Sequence, residues 1–91
     1  MSLYTKNGRP LQVSGKTVYS GSGRPVGRIR GDKVFGPDGR YVGTIVGERL
    51  VYRSSQSGSI GSPFSAAGRG ASGKANRGSS GISGEEPDIP D

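Results

Sequence analysis

A segment of about sixteen residues recurs along the first half of the chain, and this repetition restricts the fold more than any other feature. The stretch "GRPVG", which starts at Gly23, returns as "GRYVG" at Gly39. The three clear copies span residues 4–15, 19–31 and 35–47. A fourth copy starts with "LVY" at residues 50–52 and then degrades, with "IGS" at residues 60–62 as the candidate counterpart of "VGT" at residues 42–44. Regular spacing of this kind indicates an architecture of repeated supersecondary units.

Each copy has the pattern of a short β-hairpin. Its first strand places a β-branched residue next to an aromatic one, as in Val18-Tyr19, and both types favour extended structure. A turn of residues that tolerate a positive φ follows, as in Pro37-Asp38-Gly39. The second strand ends at a glycine that begins another tight turn. The sequence therefore predicts an all-β fold, an antiparallel meander of repeated short hairpins with pseudo-symmetry.

The first and last strands of such a meander would leave open edges, and closing the sheet around an axis removes them. Gly27 and Gly43 fit a closed arrangement, because a glycine inside a strand often marks a bend or a close approach of the backbone. Ile29 and Ile45 lie two residues further along and point to the same face. Together with Val13, they are expected to fill the centre of a small, closed, barrel-like domain.

The copies resemble the repeats of the small bacterial proteins called β-flower proteins, in particular the four-fold β-flower family. The resemblance depends on the aromatic residue, the turn, the Gly-Arg-Pro and Val-Gly-x-Ile stretches and the closing glycine, and it covers about residues 3–53. It implies an all-β domain of hairpin petals arranged around a pseudo-symmetry axis. It implies no activity, and the degraded fourth copy leaves open whether the domain closes within one chain.

Composition divides the chain into two parts. Residues 1–53 contain 18 hydrophobic residues, whereas the remainder is rich in Ser, Gly and Ala and contains eight. The sequence predicts a hairpin-repeat domain over residues 1–53, with residue 64 as the outer limit of its end, and a disordered Gly/Ser-rich tail with an acidic end over residues 65–91. Because 18 apolar side chains are few for a lone domain, self-association or an unknown protein partner is also expected.

The chain contains no cysteine and no histidine. It therefore lacks disulfides, the usual general base and the commonest metal ligands, and we expect no metal site and no cofactor. The three carboxylates of residues 1–53, Asp32, Asp38 and Glu48, fall in or beside predicted turns, which argues for a non-enzymatic protein. No apolar run is long enough to cross a membrane and no secretory signal is evident, so a cytoplasmic location is expected.

Positive charge is concentrated in the hairpin part, which carries ten Lys/Arg and three Asp/Glu. Arg9, Arg24 and Arg40 occupy equivalent positions of the repeat and would form a crown on one side of a symmetric domain. Arg28 and Arg30 add charge on the face opposite the central isoleucines. Such a surface could bind nucleic acid or another polyanion, or it could simply keep the protein soluble and protect strand edges. The sequence thus predicts a non-enzymatic binding or structural module, with polyanion binding by these five arginines as the alternative.

Four aromatic residues also recur with the repeat: Tyr4, Tyr19, Phe35 and Tyr52. Exposed aromatic rings would be platforms on which nucleic-acid bases stack. Buried rings would belong to the core, and this interpretation is favoured because the chain has few other large apolar residues.

The end of the chain, "EEPDIPD" at residues 85–91, is acidic. A glycine-rich segment with an acidic Asp-Ile-Pro tip is similar to the end of bacterial single-stranded-DNA-binding proteins, in which the tip recruits partners, although the terminal phenylalanine of that family is missing here. Two other interpretations remain. The tip could be a solubilising tail, or it could fold back onto the basic domain and compete with anionic ligands.

Overall fold

The computed structural model describes residues 3–56, 58, 60–61, 64–71, 73 and 75–89. Seven short strands form one closed barrel in which sheet order follows chain order. The expected all-β, barrel-like fold built from hairpins is therefore confirmed. The strands are β1 (Leu3–Thr5), β2 (Pro10–Ser14), β3 (Thr17–Ser20), β4 (Pro25–Arg30), β5 (Lys33–Phe35), β6 (Tyr41–Val46) and β7 (Arg49–Val51).

The repeat corresponds to hairpins that we call petals. Petal 1 covers residues 3–14, petal 2 residues 17–30 and petal 3 residues 33–46, and petal 4 consists of β7 and the turn that follows it, residues 49–56. Glycines with a positive φ shape the turns, because only residues without a Cβ adopt this region readily. Within petals 1–3 these glycines have φ values of 85 to 96°, and between petals they have values of 59 to 65°. They are Gly8, Gly23 and Gly39 in the first set and Gly15, Gly31 and Gly47 in the second.

The barrel closes where β1 meets β7, and this pair is parallel. Strand direction alternates along a meander, so a closed ring with an odd number of strands must contain one parallel pair. Four complete hairpins would place an eighth strand between β7 and β1. The fourth copy lacks this return strand, and the two flanking strands pair directly through Tyr4 with Arg49 and Thr5 with Leu50. The domain therefore closes within one chain despite the degraded copy.

Apolar side chains fill the interior of the barrel. Gly27 and Gly43 face this interior, and a methyl group on either would collide with a neighbouring side chain, that of Val34 or that of Leu50. These glycines therefore permit the close approach that the sequence predicts for them. The central cluster comprises Leu3, Leu11, Val18, Val26, Val34, Leu50 and Ile89. Val13, Ile29 and Ile45, which were expected to fill the centre, are instead partly buried against this cluster, as is Val42.

A single turn of 3-10 helix, Ser54–Gln56, follows β7 and marks the point where the chain leaves the barrel wall. In the part of the chain that the structure describes, no helix has the length and apolar character needed to cross a membrane. The prediction that residues 60–62 are the fourth copy's counterpart of residues 42–44 is wrong for Ile60, and Ser62 lies outside the described residues. Ile60 is 81% exposed and forms an isolated antiparallel bridge with Arg40 of petal 3 rather than pairing beside β7.

The described residues beyond Phe64 lie against the barrel, although the sequence favours disorder for this region. Four of their backbone amides, those of Arg69, Arg77, Ser80 and Glu85, donate hydrogen bonds to petal carbonyls. Ile89 is 5% exposed within the central cluster. The composition of this segment predicts that it cannot fold on its own. The contacts are compatible with that prediction, because the barrel supplies the hydrogen-bond acceptors and the apolar surface that the segment meets.

We expect Gly27→Ala to destabilise the barrel by about 1–3 kcal/mol, because its methyl group overpacks the wall against Val34. The matched control is Gly58→Ala, since nothing lies within 4 Å of a Cβ built at Gly58. Denaturant unfolding followed by circular dichroism measures both. Equal stability of the two variants would show that the interior tolerates the extra methyl group.

We expect Ile89→Ala to lower the free energy of unfolding by about 2–5 kcal/mol, the range typical of truncating a buried isoleucine. The control is Ile60→Ala, which removes the same atoms from a side chain that is 81% exposed and should change stability little. Thermal and denaturant unfolding report both variants. A loss at Ile60 as large as at Ile89 would contradict the packing of Ile89 in the core.

Candidate functional site

A shallow groove of about 360 Å³ lies beside petal 2, and three cationic side chains line it. Strand β4 positions two of them, because residues alternate between the two faces of a strand and Arg28 and Arg30 flank the inward-facing Ile29. Lys16 joins them from the turn before β3, where its carbonyl accepts a 2.6 Å hydrogen bond from the Ile29 amide. Ile29, Phe35 and Gly61 complete the lining. We call Lys16, Arg28 and Arg30 the cationic groove.

Among the described residues, no carboxylate lines the cationic groove. All three side chains are exposed, and none forms an ion pair with a carboxylate among the residues that the structure describes. The nearby Asp32 lies 3.5 Å from the ammonium group of Lys33 instead. The guanidinium of Arg28 stacks 4.5 Å from the ring centroid of Phe64, which holds the side chain against the surface without neutralising its charge.

The other three candidate arginines do not join the groove. Arg24 and Arg40 line a larger cavity of about 680 Å³, which we call the mouth, and Asp38 and Asp88 line the same cavity. Arg40 pairs with Asp38 at 3.5 Å in an exposed arrangement. Arg9 lies against a third, smaller cavity. The five arginines expected to act together are therefore distributed over three sites.

Arg9 makes several contacts with the end of the chain. Its guanidinium donates a 2.7 Å hydrogen bond to the carbonyl of Ile89 and lies 3.3 Å from the carboxylate of Glu86. The other carboxylate oxygen of Glu86 accepts a hydrogen bond from the Asn7 amide at 2.9 Å. Of the three interpretations of the acidic end, folding back onto the basic domain is the one that these contacts match. Residues 90 and 91 lie outside the described residues.

The repeated aromatic residues lie outside the central cluster. Tyr4 and Phe35 are each 8% exposed, so they are buried as expected, whereas Tyr19 and Tyr52 are half-buried. Described residues from the last part of the chain lie against three of these rings, namely Arg77 on Tyr4, Arg69 on Tyr19 and Gly61 on Phe35. Arg77 stacks over Tyr4 at 4.4 Å and Arg69 over Tyr19 at 5.3 Å, measured from the guanidinium carbon to the ring centroid.

The carboxylates of the hairpin domain are dispersed. Asp32 pairs with Lys33, Asp38 with Arg40, and Glu48 accepts a 2.6 Å hydrogen bond from Arg77. Among the described residues no group of three acidic, histidine or cysteine side chains is arranged to hold a metal ion. The absence of enzymatic activity and of cofactors stays a prediction.

Sequence reasoning missed Lys16 as a member of the site. The antiparallel pairing of β3 with β4 could have predicted it, because that pairing places the turn at residues 15–16 next to the strand that carries Arg28 and Arg30. No protein-family model, curated protein or solved structure matches the chain. The site is therefore interpreted from its own geometry.

We expect Glu86→Gln to destabilise the protein by about 1 kcal/mol at low salt, because it removes one charge of a half-buried ion pair with Arg9. The control Asp38→Asn breaks a pair whose side chains are 88% and 65% exposed, and it should have almost no effect. Unfolding at low and high salt measures both variants. Equal effects in the two variants would show that the acidic end is not held by Arg9.

Proposed function

We propose that this chain is a non-enzymatic binding module of the β-flower type and that its cationic groove binds single-stranded nucleic acid. The observation that carries the proposal is the convergence of three exposed cations, without a carboxylate partner among the described residues, on one groove. Phosphate groups are the ligand chemistry that such an arrangement favours, because each neutralised phosphate releases condensed counterions.

The shape of the groove supports a nucleotide ligand rather than a bare anion. Its volume of about 360 Å³ falls at the lower end of the range for small-ligand pockets. Phe35, which is 8% exposed, lines the groove next to the cations, and the guanidinium of Arg28 lies over the Phe64 ring. Aromatic rings beside a positively charged track are typical of proteins that bind single strands with little sequence preference.

The mouth is a weaker candidate for the same ligand. Two arginines and two aspartates line it, so its formal charges cancel. A polyanion would have to approach Asp38 and Asp88 as well as Arg24 and Arg40. The proposed site therefore retains Arg28 and Arg30, adds Lys16, and leaves out the crown of repeat-equivalent arginines.

Self-association through an apolar surface has less support. Ile60 is the one large hydrophobic residue that is strongly exposed among those the structure describes. A single exposed side chain does not form the contiguous patch that protein interfaces require.

The test compares two double variants that remove the same charge from different places. Lys16→Gln/Arg30→Gln alters the cationic groove and Arg24→Gln/Arg40→Gln alters the mouth. Fluorescence anisotropy with a labelled oligo-dT measures affinity over a range of salt concentrations. We expect the groove variant to bind at least about tenfold more weakly and the slope of log K against log salt to flatten by about 1.4, which corresponds to two lost phosphate contacts.

The mouth variant is expected to bind nearly as well as the unaltered protein. Two outcomes would overturn the proposal. One is equal weakening by both variants, which would indicate that only net charge matters. The other is a failure of the unaltered protein to bind the oligonucleotide in dilute buffer.

A further inference from the structure

The backbone of residues 60–89 contacts three petals in the same way. The amide of Gly61 donates a 2.7 Å hydrogen bond to the carbonyl of Gly39 in petal 3. The amides of Arg69 and Arg77 donate 2.8 Å bonds to the carbonyls of Gly23 and Gly8, the equivalent glycines of petals 2 and 1. The three donors are eight residues apart. We call the described part of residues 60–89 the girdle.

A second hydrogen bond accompanies the first at petals 3 and 1. Three residues after the first donor, the amide of Phe64 donates to the carbonyl of Pro37 at 3.0 Å, and the amide of Ser80 donates to that of Lys6 at 2.8 Å. Both acceptors lie two residues before the turn glycine of their petal. The corresponding residue for petal 2 is Ser72, which lies outside the described residues.

At the fourth petal the girdle makes a different contact, with Tyr52, the residue after β7, rather than with a turn glycine. Eight residues after Arg77, the amide of Glu85 donates a 2.8 Å hydrogen bond to the carbonyl of Tyr52, and the pair forms an antiparallel bridge. Gly84, with a φ of 131°, precedes this bridge as Gly8 precedes the return strand of petal 1. The girdle thus contacts petals 3, 2, 1 and 4 in turn, once around the barrel.

Geometry explains why the girdle repeats every eight residues whereas the petals repeat about every sixteen. A hairpin runs out and back, but an extended segment passes each petal once. Eight extended residues reach at most about 26–29 Å. The molecule is 32 Å across in its two long dimensions, so a quarter of its perimeter is roughly 25 Å, which one extended eight-residue unit can span.

Side chains distinguish the petals. At petals 1 and 2 the first residue of the unit is an arginine that stacks on the petal's tyrosine. At petal 3 it is Gly61, where a methyl group would lie 2.7 Å from the Phe35 ring. The turn glycines also admit the girdle, because a Cβ at Gly8 or Gly23 would collide with the carbonyl oxygen of Arg77 or Arg69.

The period is visible in the sequence once the contacts are known. "RGASG" begins at Arg69 and "RGSSG" begins at Arg77, so four of five positions are identical at a spacing of eight. Each of the two stretches begins with an Arg-Gly pair. The structure relates each pair to one petal.

We propose that the rim of petals is a peptide-binding surface for extended arginine-glycine segments whose arginines are eight residues apart. The girdle is its resident ligand. At petals 1 and 2, the carbonyl of the turn glycine and the ring of the petal's tyrosine together select an extended backbone and a guanidinium stacked on the ring. Arg69 and Arg77 are the residues that set the register. A segment of another chain with the same spacing is the partner that this surface fits.

The experiment uses the full-length variant Arg69→Ala/Arg77→Ala, in which the resident girdle is weakened. Two labelled synthetic peptides are titrated by fluorescence anisotropy: residues 66–82 of this chain, and the same peptide without Ala75, which places its arginines seven apart. The variant should bind the first peptide at least about tenfold more tightly than the second. The unaltered protein should bind both weakly, because its own girdle competes at a high effective concentration, on the order of millimolar.

Equal affinity of the variant for the two peptides would overturn the proposal, as would failure of a folded variant to bind the first. Circular dichroism establishes whether the variant is folded. If it is not, amide hydrogen exchange of the unaltered protein decides. The amides of Arg69 and Arg77 should exchange much more slowly than those of Gly70 and Gly78, which donate to no backbone carbonyl among the described residues. Equally fast exchange at all four would show that the girdle is not bound.

Discussion

The parallel pairing of β1 with β7 is the constraint on which the rest of the structure depends. It closes the ring with one strand fewer than four complete hairpins would supply. The amide of Tyr4 donates to the carbonyl of Glu48 at 2.8 Å, and that of Lys6 to Leu50 at 3.0 Å, so both edges are satisfied. A ring of so few strands is narrow, and glycines inside β4 and β6 let its walls approach.

The missing return strand also explains the course of the last part of the chain. After the 3-10 turn at Ser54–Gln56 the chain leaves the wall, passes the other three petals, and reaches petal 4 at Glu85. Ile89 then enters the central cluster, where it adds an apolar side chain that the hairpin domain lacks. A small domain with few apolar residues thus uses a segment distant in sequence to complete its core.

Because the acidic end packs against the barrel, the surroundings of the repeat-equivalent arginines differ in charge from the cationic groove. Glu86 lies against Arg9 and Asp88 lines the mouth beside Arg24 and Arg40, so much of the positive charge of the repeat-equivalent arginines is compensated. The described acidic residues of the end, Glu85, Glu86 and Asp88, do not line the cationic groove of Lys16, Arg28 and Arg30. Repeat symmetry therefore does not predict the proposed ligand site, since the distribution of carboxylates breaks that symmetry.

The sequence by itself determined the hairpins, their turns and the inward-facing positions. These follow from local properties: the positive φ that Gly8, Gly23 and Gly39 adopt, and the alternation that directs Ile29 and Ile45 towards the central cluster, against which they are partly buried. Only the tertiary structure decided three other features, namely the parallel closure, the docking of the girdle and the separation of the five arginines. Each depends on contacts between residues far apart in the chain, such as Arg77 with Tyr4 or Glu86 with Arg9. Local sequence patterns do not predict such pairings, because a segment that has no hydrophobic core of its own takes its conformation from the surface against which it packs.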